Sequence, residues 1–159
     1  MGLIGISVIV GLAIPNTIHS DLCKANECVV NPLDVLAENP TTENIKRAIV
    51  YLADKYGADS KCFDAIVRYE SHYKNVCNFE YGCGAGKGYV QLIESTTNHC
   101  SKKLGRIIDP NNAVDNLECG AWLLANEGTR HWGCPDCEWG SYWKWKDYCK
   151  NNGLAIKYN

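Results

Sequence analysis

No internal repeat, no low-complexity tract and no alternating apolar–polar run of useful strand length occurs in the 159-residue sequence. The third absence sets aside sandwich and barrel architectures, whose half-buried strands need that period of two. An excess of basic residues is missing as well. Lys and Arg number 16 against 18 Asp and Glu, which leaves a net charge of −2 and an isoelectric point near 6.1. Nucleic acid is thereby set aside as a partner, because phosphate binding rests on a basic surface. Residues 1–20 carry no Asp, Glu, Lys or Arg, yet their apolar run, Leu3 to Pro15, is too short to span a bilayer. What remains is ordinary for a globular chain: 46% hydrophobic and 21% charged residues, at a length suited to one domain with one core.

Cysteine is the exception to this ordinariness. Ten cysteines stand at positions 23, 28, 62, 77, 83, 100, 119, 134, 137 and 149. Thiols do not accumulate in this way in a reducing cytosol, so the expected compartment is oxidising and the expected state is disulfide-bonded. Spacing leaves the connectivity open, since ten cysteines allow roughly a thousand pairings. The N-terminus points the same way. Residues 1–20 read as a signal peptide, with Ile18 and Ser20 marking a cleavage site before Asp21, although the basic n-region of such peptides is missing. A buried N-terminal helix or strand is the other reading of that run. The expected organisation is a signal peptide at 1–20 and one domain at 21–159, secreted, monomeric and without stable membrane insertion after cleavage.

Helical periodicity dominates the rest. A short helical turn is expected at Leu33–Ala37 within an irregular stretch that ends near Pro40. Ile45, Ala48, Ile49, Leu52, Ala53 and Tyr56 recur at helical spacing between Thr41 or Thr42 as cap and Gly57 as stop, which predicts a helix over Thr42–Tyr56. Asp59 or Ser60 caps a second helix to about Tyr73, and residues 74–88 read as a loop. Tyr89 to Leu104 reads as helical after an extended start, ended by Gly105. Asp109-Pro110 predicts a cap followed by proline at the first helical position, opening a helix to about Asn126 that Gly128 ends. The last segment holds Trp132, Trp139, Trp143 and Trp145 and a short helix over Ser141–Lys150. The fold class is mainly α.

Within the second helix, Cys62, Phe63, Ile66, Tyr69, Glu70 and Tyr73 fall largely on one face, which puts Glu70 on or beside the buried stripe. Burial there and the negative end of the helix dipole both raise a carboxyl pKa, as a general acid requires. The residues alone leave a second role open, a helix-end glutamate paired with Arg68 or Lys74.

Three stretches then carry a resemblance. Glu70-Ser71, Gly88-Tyr89-Val90-Gln91-Leu92 and Asn116-Leu117-Glu118-Cys119-Gly120-Ala121-Trp122-Leu123-Leu124 resemble, in order and spacing, three motifs of the soluble lytic transglycosylases and goose-type lysozymes. Asp109-Pro110 also stands where that family commonly has Asp-Pro. The resemblance covers about residues 60–124 and implies a lysozyme-like helical domain, here with disulfide-stapled loops, whose cleft binds peptidoglycan glycan strands. It implies that Glu70 protonates the β-1,4 bond between N-acetylmuramic acid and N-acetylglucosamine and that no cofactor or metal is needed. Ser71 and Gln91 match family positions near the bound sugars. Gly88 would let the backbone approach them, and Tyr89 would line the cleft. Tyr142 is the candidate for the tyrosine that hydrogen-bonds the glutamate, with Asn126 in a competing fragment of the same motif.

The chain also departs from the family. Tyr89-Val90 replaces Leu-Met, the later Tyr-Asn-Ala-Gly is absent in that form, and the cysteine-rich C-terminal part lies outside the pattern. No second carboxylate is placed by the sequence. Glu80, Asp109 and Asp115 are the candidates for a hydrolytic base, and the want of a convincing one tilts the expected reaction toward transglycosylation. Cys134-Pro135-Asp136-Cys137 admits a structural-disulfide, a zinc (with His131 and Cys149) or a redox reading. The first is favoured because neither a second close pair nor a βαβ setting is present. A hydrolytic lysozyme, a chitinase-like hydrolase and a non-enzymatic cell-wall-sugar binding module are the rival functions.

Overall fold

The computed structural model describes residues 30–77 and 85–132, together with Cys149. All of these except Val30 belong to one compact unit. The elements are α1 (Pro32–Glu38), α2 (Thr42–Tyr56), α3 (Ser60–Ser71), α4 (Glu94–Leu104) and α5 (Ala113–Glu127), followed by a 3-10 helix at Gly128–Trp132. Isolated bridges link Cys77 to Lys87 and Lys87 to Leu92, and no strand occurs among the described residues. The mainly helical class is as expected.

Local chemistry sets the helix limits. In α1, Pro32 occupies the first turn and Asn31 accepts from Leu33 N at 3.0 Å. In α2, Thr41 accepts from Asn44 N, and Gly57 closes the helix in the left-handed region at φ 76°. Asp59 starts α3 by accepting from Cys62 N at 2.6 Å. Three expected boundaries move. α3, expected to reach about Tyr73, ends at Ser71 with His72 as its cap. Asp109-Pro110 does not open α5. Asp109 Oδ1 accepts from Asn111 N and its carbonyl from Asn112 N, so the two residues form a turn. Asn112 is the cap, accepting from both Val114 N and Asp115 N. α4 begins at Glu94 rather than Tyr89, because residues 88–91 close a tight turn between the paired Lys87 and Leu92.

α5 is the hub. It packs against α1, α2, α3, α4 and the 3-10 helix. Its sequence is suited to this, since residues 116–121 are buried without interruption, followed by Leu123 and Leu124. A helix apolar on most of its circumference belongs inside a fold rather than on its surface. The core joins Leu36, Ile45, Ile49, Leu52, Phe63, Ile66, Val90, Leu117 and Leu123, each at most 1% exposed. Cys100–Cys119 staples α4 to α5, and Cys62–Cys149 ties the start of α3 to a residue near the C-terminus. Cys77 is disulfide-bonded too, and no described cysteine is a free thiol. Cys149 therefore cannot be a zinc ligand, which removes one member of the metal set considered for Cys134 and Cys137, themselves outside the described residues.

Glu118 on α5 carries the charge that joins α2 to the 105–109 connection. Its Oε1 accepts from Lys55 Nζ and Tyr56 Oη, both at 2.6 Å, and its Oε2 from Arg106. Arg106 also pairs with Asp115 at 2.6 Å. Burial pushes the Glu118 carboxyl up, but hydrogen bonds from Lys55, Tyr56 and Arg106 outweigh it and hold the pKa at about 2. A carboxyl depressed in the folded state stabilises above its unfolded pKa near 4.5, and that contribution is lost as pH falls toward 2. Glu118→Gln is expected to lower stability at pH 7 by about 2 kcal/mol, between exposed and buried pairs because Lys55 and Arg106 remain half-exposed. It should also flatten the acid limb of a urea-unfolding series run from pH 6 to pH 2. An unchanged acid limb would show that Glu118 is not the linked group.

Candidate active site

Glu70 is the penultimate residue of α3. It follows Phe63, Ile66 and Val67 by seven, four and three residues, so it ends the stripe that these three side chains bury. The side chain is half-buried, and no described residue gives its carboxylate a hydrogen bond or an ion pair. Arg68 and Lys74, the bases that a surface role would use, are exposed and do not pair with it. Burial pushes the carboxyl from an ordinary value of 4.5 up to about 7. The end of a helix presents carbonyl oxygens, which act in the same direction.

After α3 the chain turns sharply. His72 and Tyr73 both adopt left-handed backbone, at φ 52° and 59°. For non-glycine residues this conformation needs support. Tyr73 has it: its hydroxyl donates to Asp64 at 2.9 Å, and Lys46 Nζ lies 5.3 Å from the ring centre. The reversal brings Val76 and Cys77 beside Lys87 and Gly88. Gly88 N donates to Val76 O at 2.9 Å, and Asn75 Nδ2 donates to Asn111 O at 2.7 Å.

The Gly88–Gln91 turn is the second half of the site. Lys87 and Leu92 exchange both backbone hydrogen bonds, at 3.0 and 2.8 Å. Gln91 lies at φ 54°, and its Nε2 donates to Gly88 O at 2.7 Å and Val76 O at 3.1 Å. Its Oε1 accepts from no described group and lies beside Gly86, where a Cβ would be 2.9 Å away. From behind, Trp132 Nε1 donates to Val90 O at 3.0 Å, and Asn116 Oδ1 accepts from Val90 N at 3.0 Å.

Gly120 of α5 joins the two halves. A Cβ there would meet Val90 Cγ1 at 2.9 Å and Phe63 Cε2 at 3.1 Å. The stripe that ends in Glu70 and the turn that carries Gln91 therefore rest on one point of α5. Phe63 precedes Glu70 by seven residues, or about 10 Å along the helix.

The expected sugar-contacting residues divide. Gln91 is half-exposed and suited to contact. Ser71 is 4% exposed, and its hydroxyl donates to Val67 O, so it is spent on the helix. Tyr89 is 3% exposed and belongs to the core, so its ring does not line an open cleft; burial also raises its hydroxyl pKa. Gly88 does allow a close backbone approach, but the approach is to Asn116 and Pro110. A Cβ at Gly88 would lie 2.0 Å from Asn116 Nδ2 and 2.6 Å from Pro110 O. Tyr142 lies outside the described residues, as does Glu80. Asn126 donates to Trp122 O within its own helix. Trp132 is core at 5% exposed. Asp115 is committed to Arg106 and to Asp109 N, and Asp109 to its turn, so neither is a free base.

Two further features have no role in this site. His99, His131 and Arg130 close on Glu127; burial raises that carboxyl, and hydrogen bonds from Arg130, His99 and His131 outweigh it, leaving the pKa at about 2. A cavity of about 200 Å³ opens beside Lys87, Leu92, Glu94, Thr97, Asn98 and Pro110, and Glu70 does not line it. No group of three or more His, Cys, Asp or Glu among the described residues could hold a metal ion. Likewise no described helix is long and apolar enough to cross a membrane.

No family model, curated protein or solved structure matches this chain.

Gly88 and Gly57 separate close packing from backbone strain. Both lie at positive φ, 77° and 76°, but nothing lies within 4 Å of a Cβ at Gly57. Gly57→Ala is expected to cost about 1 kcal/mol from the left-handed backbone alone. Gly88→Ala should cost about 3 kcal/mol or more, because buried side chain and backbone must also move. Equal losses in thermal unfolding would overturn the packing role of Gly88.

Proposed function

We propose that this protein is a secreted, lysozyme-like enzyme that cleaves the β-1,4 bond between N-acetylmuramic acid and N-acetylglucosamine in bacterial peptidoglycan, with Glu70 as acid and then base. One observation carries the reading: a half-buried glutamate with no partner among the described residues, raised to about 7, at the end of a helix that packs at Gly120 beside the turn before Gln91. A carboxylic acid that keeps its proton near neutral pH can protonate a leaving oxygen. Glu118 and Glu127 are of the other kind, paired and depressed to about 2. The likeness of the three motifs to lytic transglycosylases and goose-type lysozymes supplies the substrate class. Disulfides fit an oxidising, extracellular setting.

In this mechanism Glu70 gives its proton to the glycosidic oxygen as the bond to the muramoyl C1 breaks. The resulting carboxylate takes the proton of the muramoyl 6-hydroxyl as that oxygen closes on C1. The product is a 1,6-anhydro ring, and no water is consumed. Hydrolysis by inversion needs a second carboxyl about 6.5–9.5 Å away, and retention by a nucleophile needs one at about 5–5.5 Å. Of the candidate bases, the two among the described residues, Asp109 and Asp115, are committed elsewhere, which favours internal attack. In this reading Gln91 Oε1 accepts from a sugar hydroxyl or N-acetyl N–H.

Glu70→Gln is expected to abolish clearing of bacterial walls in a zymogram. Wild-type activity should fall as pH rises through about 7, because only the acid form donates. Stability has the opposite link to the usual carboxylate. The folded state holds its proton while the unfolded state loses it near 4.5, so wild-type stability declines between pH 4.5 and 7. The Gln variant should lack that decline and melt no lower than wild type at pH 8. Retained lysis in Glu70→Gln would sink the assignment. Muropeptides lighter by one water mark the anhydro product in mass spectrometry, whereas reducing ends alone would make the enzyme a hydrolase.

A further inference from the structure

Asn116 is an anomaly in α5. It is 0% exposed, in a helix whose neighbouring buried positions are mostly apolar, and burying an amide is unfavourable unless its hydrogen bonds are met. Its bonds are met, and by one region. Oδ1 accepts from Val90 N at 3.0 Å, while Nδ2 donates to Lys87 O and to Pro110 O, both at 2.9 Å. Two carbonyls require donors and one N–H requires an acceptor, so the amide has a single workable orientation and no other side chain of its size can replace it. Asp would set an oxygen against both carbonyls, and Leu would leave Val90 N and Pro110 O without this partner and Lys87 O with Leu92 N alone.

The other buried polar clusters close on themselves. Glu118 holds α2 to the 105–109 connection, and Glu127 holds His99, Arg130 and His131. Among the described residues, Asn116 alone reaches both ends of the turn before Gln91, at Lys87 and Val90. Gly88, between them, lies against the same amide, where a Cβ would be 2.0 Å from Nδ2. Gln91 follows Val90 directly in left-handed backbone, and its own amide is aimed by Gly88 O. The direction of Gln91 Oε1 is thus set by a chain of contacts that begins at Asn116.

We propose that Asn116 is a positioning residue for Gln91, presenting its Oε1 to the glycan from a turn locked in one conformation. This rests on the reading of Gln91 as a sugar-contacting residue. Neither residue takes part in the proton transfers.

Two readouts test it. In nuclear magnetic resonance spectra, the side-chain amide of Gln91 is expected to lose its hydrogen-bonded shifts in Asn116→Ala, while core methyl signals of α2 stay in place. Should Asn116→Ala fail to fold, Asn116→Ser keeps a hydroxyl for one of the three bonds and is expected to move the same signals less. Unchanged Gln91 signals in a folded variant would overturn the proposal, whether or not the protein lyses walls. The second readout is a kinetic cycle on purified peptidoglycan with Asn116→Ala, Gln91→Ala and the double variant. Each single change should lower kcat by roughly tenfold to a hundredfold, the range for a misplaced contact, with the double variant no slower than the slower single. Losses that multiply would overturn it, because Asn116 would then act independently of Gln91. A wild type without lytic activity overturns the proposed reaction instead, and leaves the Gln91 amide signals as the arbiter here.

Discussion

The contact at Gly120 is the constraint on which the rest of this fold depends. α5 packs against every other described helix, and at Gly120 it lies within van der Waals reach of both Phe63 on α3 and Val90 in the turn. A glycine in a helix interior is disfavoured by its backbone entropy, so its place here follows from packing. The missing Cβ lets two elements approach one helix at the same level. One of them ends in Glu70, and the other continues into Gln91. The two halves of the site are thereby registered to each other through the core.

Burial alone does not decide what a carboxylate becomes in this protein. Glu118 is 7% exposed, yet its carboxyl stays ionised to about pH 2, whereas the half-buried Glu70 holds its proton to about 7. The difference lies in partners. Lys55, Tyr56 and Arg106 converge on Glu118, and Arg130, His99 and His131 converge on Glu127. Glu70 has no such partner among the described residues, and burial is the cause of its shift. Desolvation without compensation is the condition under which a carboxylic acid remains an acid at neutral pH. The same sequence thus holds two kinds of glutamate, and the separation between their titrations distinguishes the support from the candidate catalyst.

The disulfides act on the same framework. Cys100–Cys119 joins α4 to the residue just before Gly120, and Cys62–Cys149 fixes the residue just before Phe63. Each bond therefore holds the chain neighbour of a residue in the Gly120–Phe63–Val90 contact. Cross-links constrain the unfolded chain more when they close longer loops, and the pair separated by 87 residues has the larger effect in that account. A core of this size gains from such constraint, since a small domain buries a smaller share of its surface.

By itself the sequence determined what depends on near neighbours in the chain. The limits of α2 follow from Thr41, Gly57 and the period of Ile45, Ile49 and Leu52; the placing of Glu70 on the buried stripe of α3 follows from its spacing to Phe63 and Ile66; and the oxidised state follows from the number of cysteines. Tertiary structure decided what depends on remote partners. Asp109-Pro110 has the form of a helix start, but Asn112 lies close enough to cap, and Pro110 O is claimed by Asn116. Tyr89 and Ser71 stand in motif positions, and packing turned both inward. Asn116 lay in full view within the third motif, where an amide amid Leu117, Ala121 and Leu124 was the available signal. Its meaning needed the turn 26 residues earlier to be folded against it. Helix period and capping are local and can be read from spacing, whereas a buried amide acquires its role only from the groups that the fold brings to it.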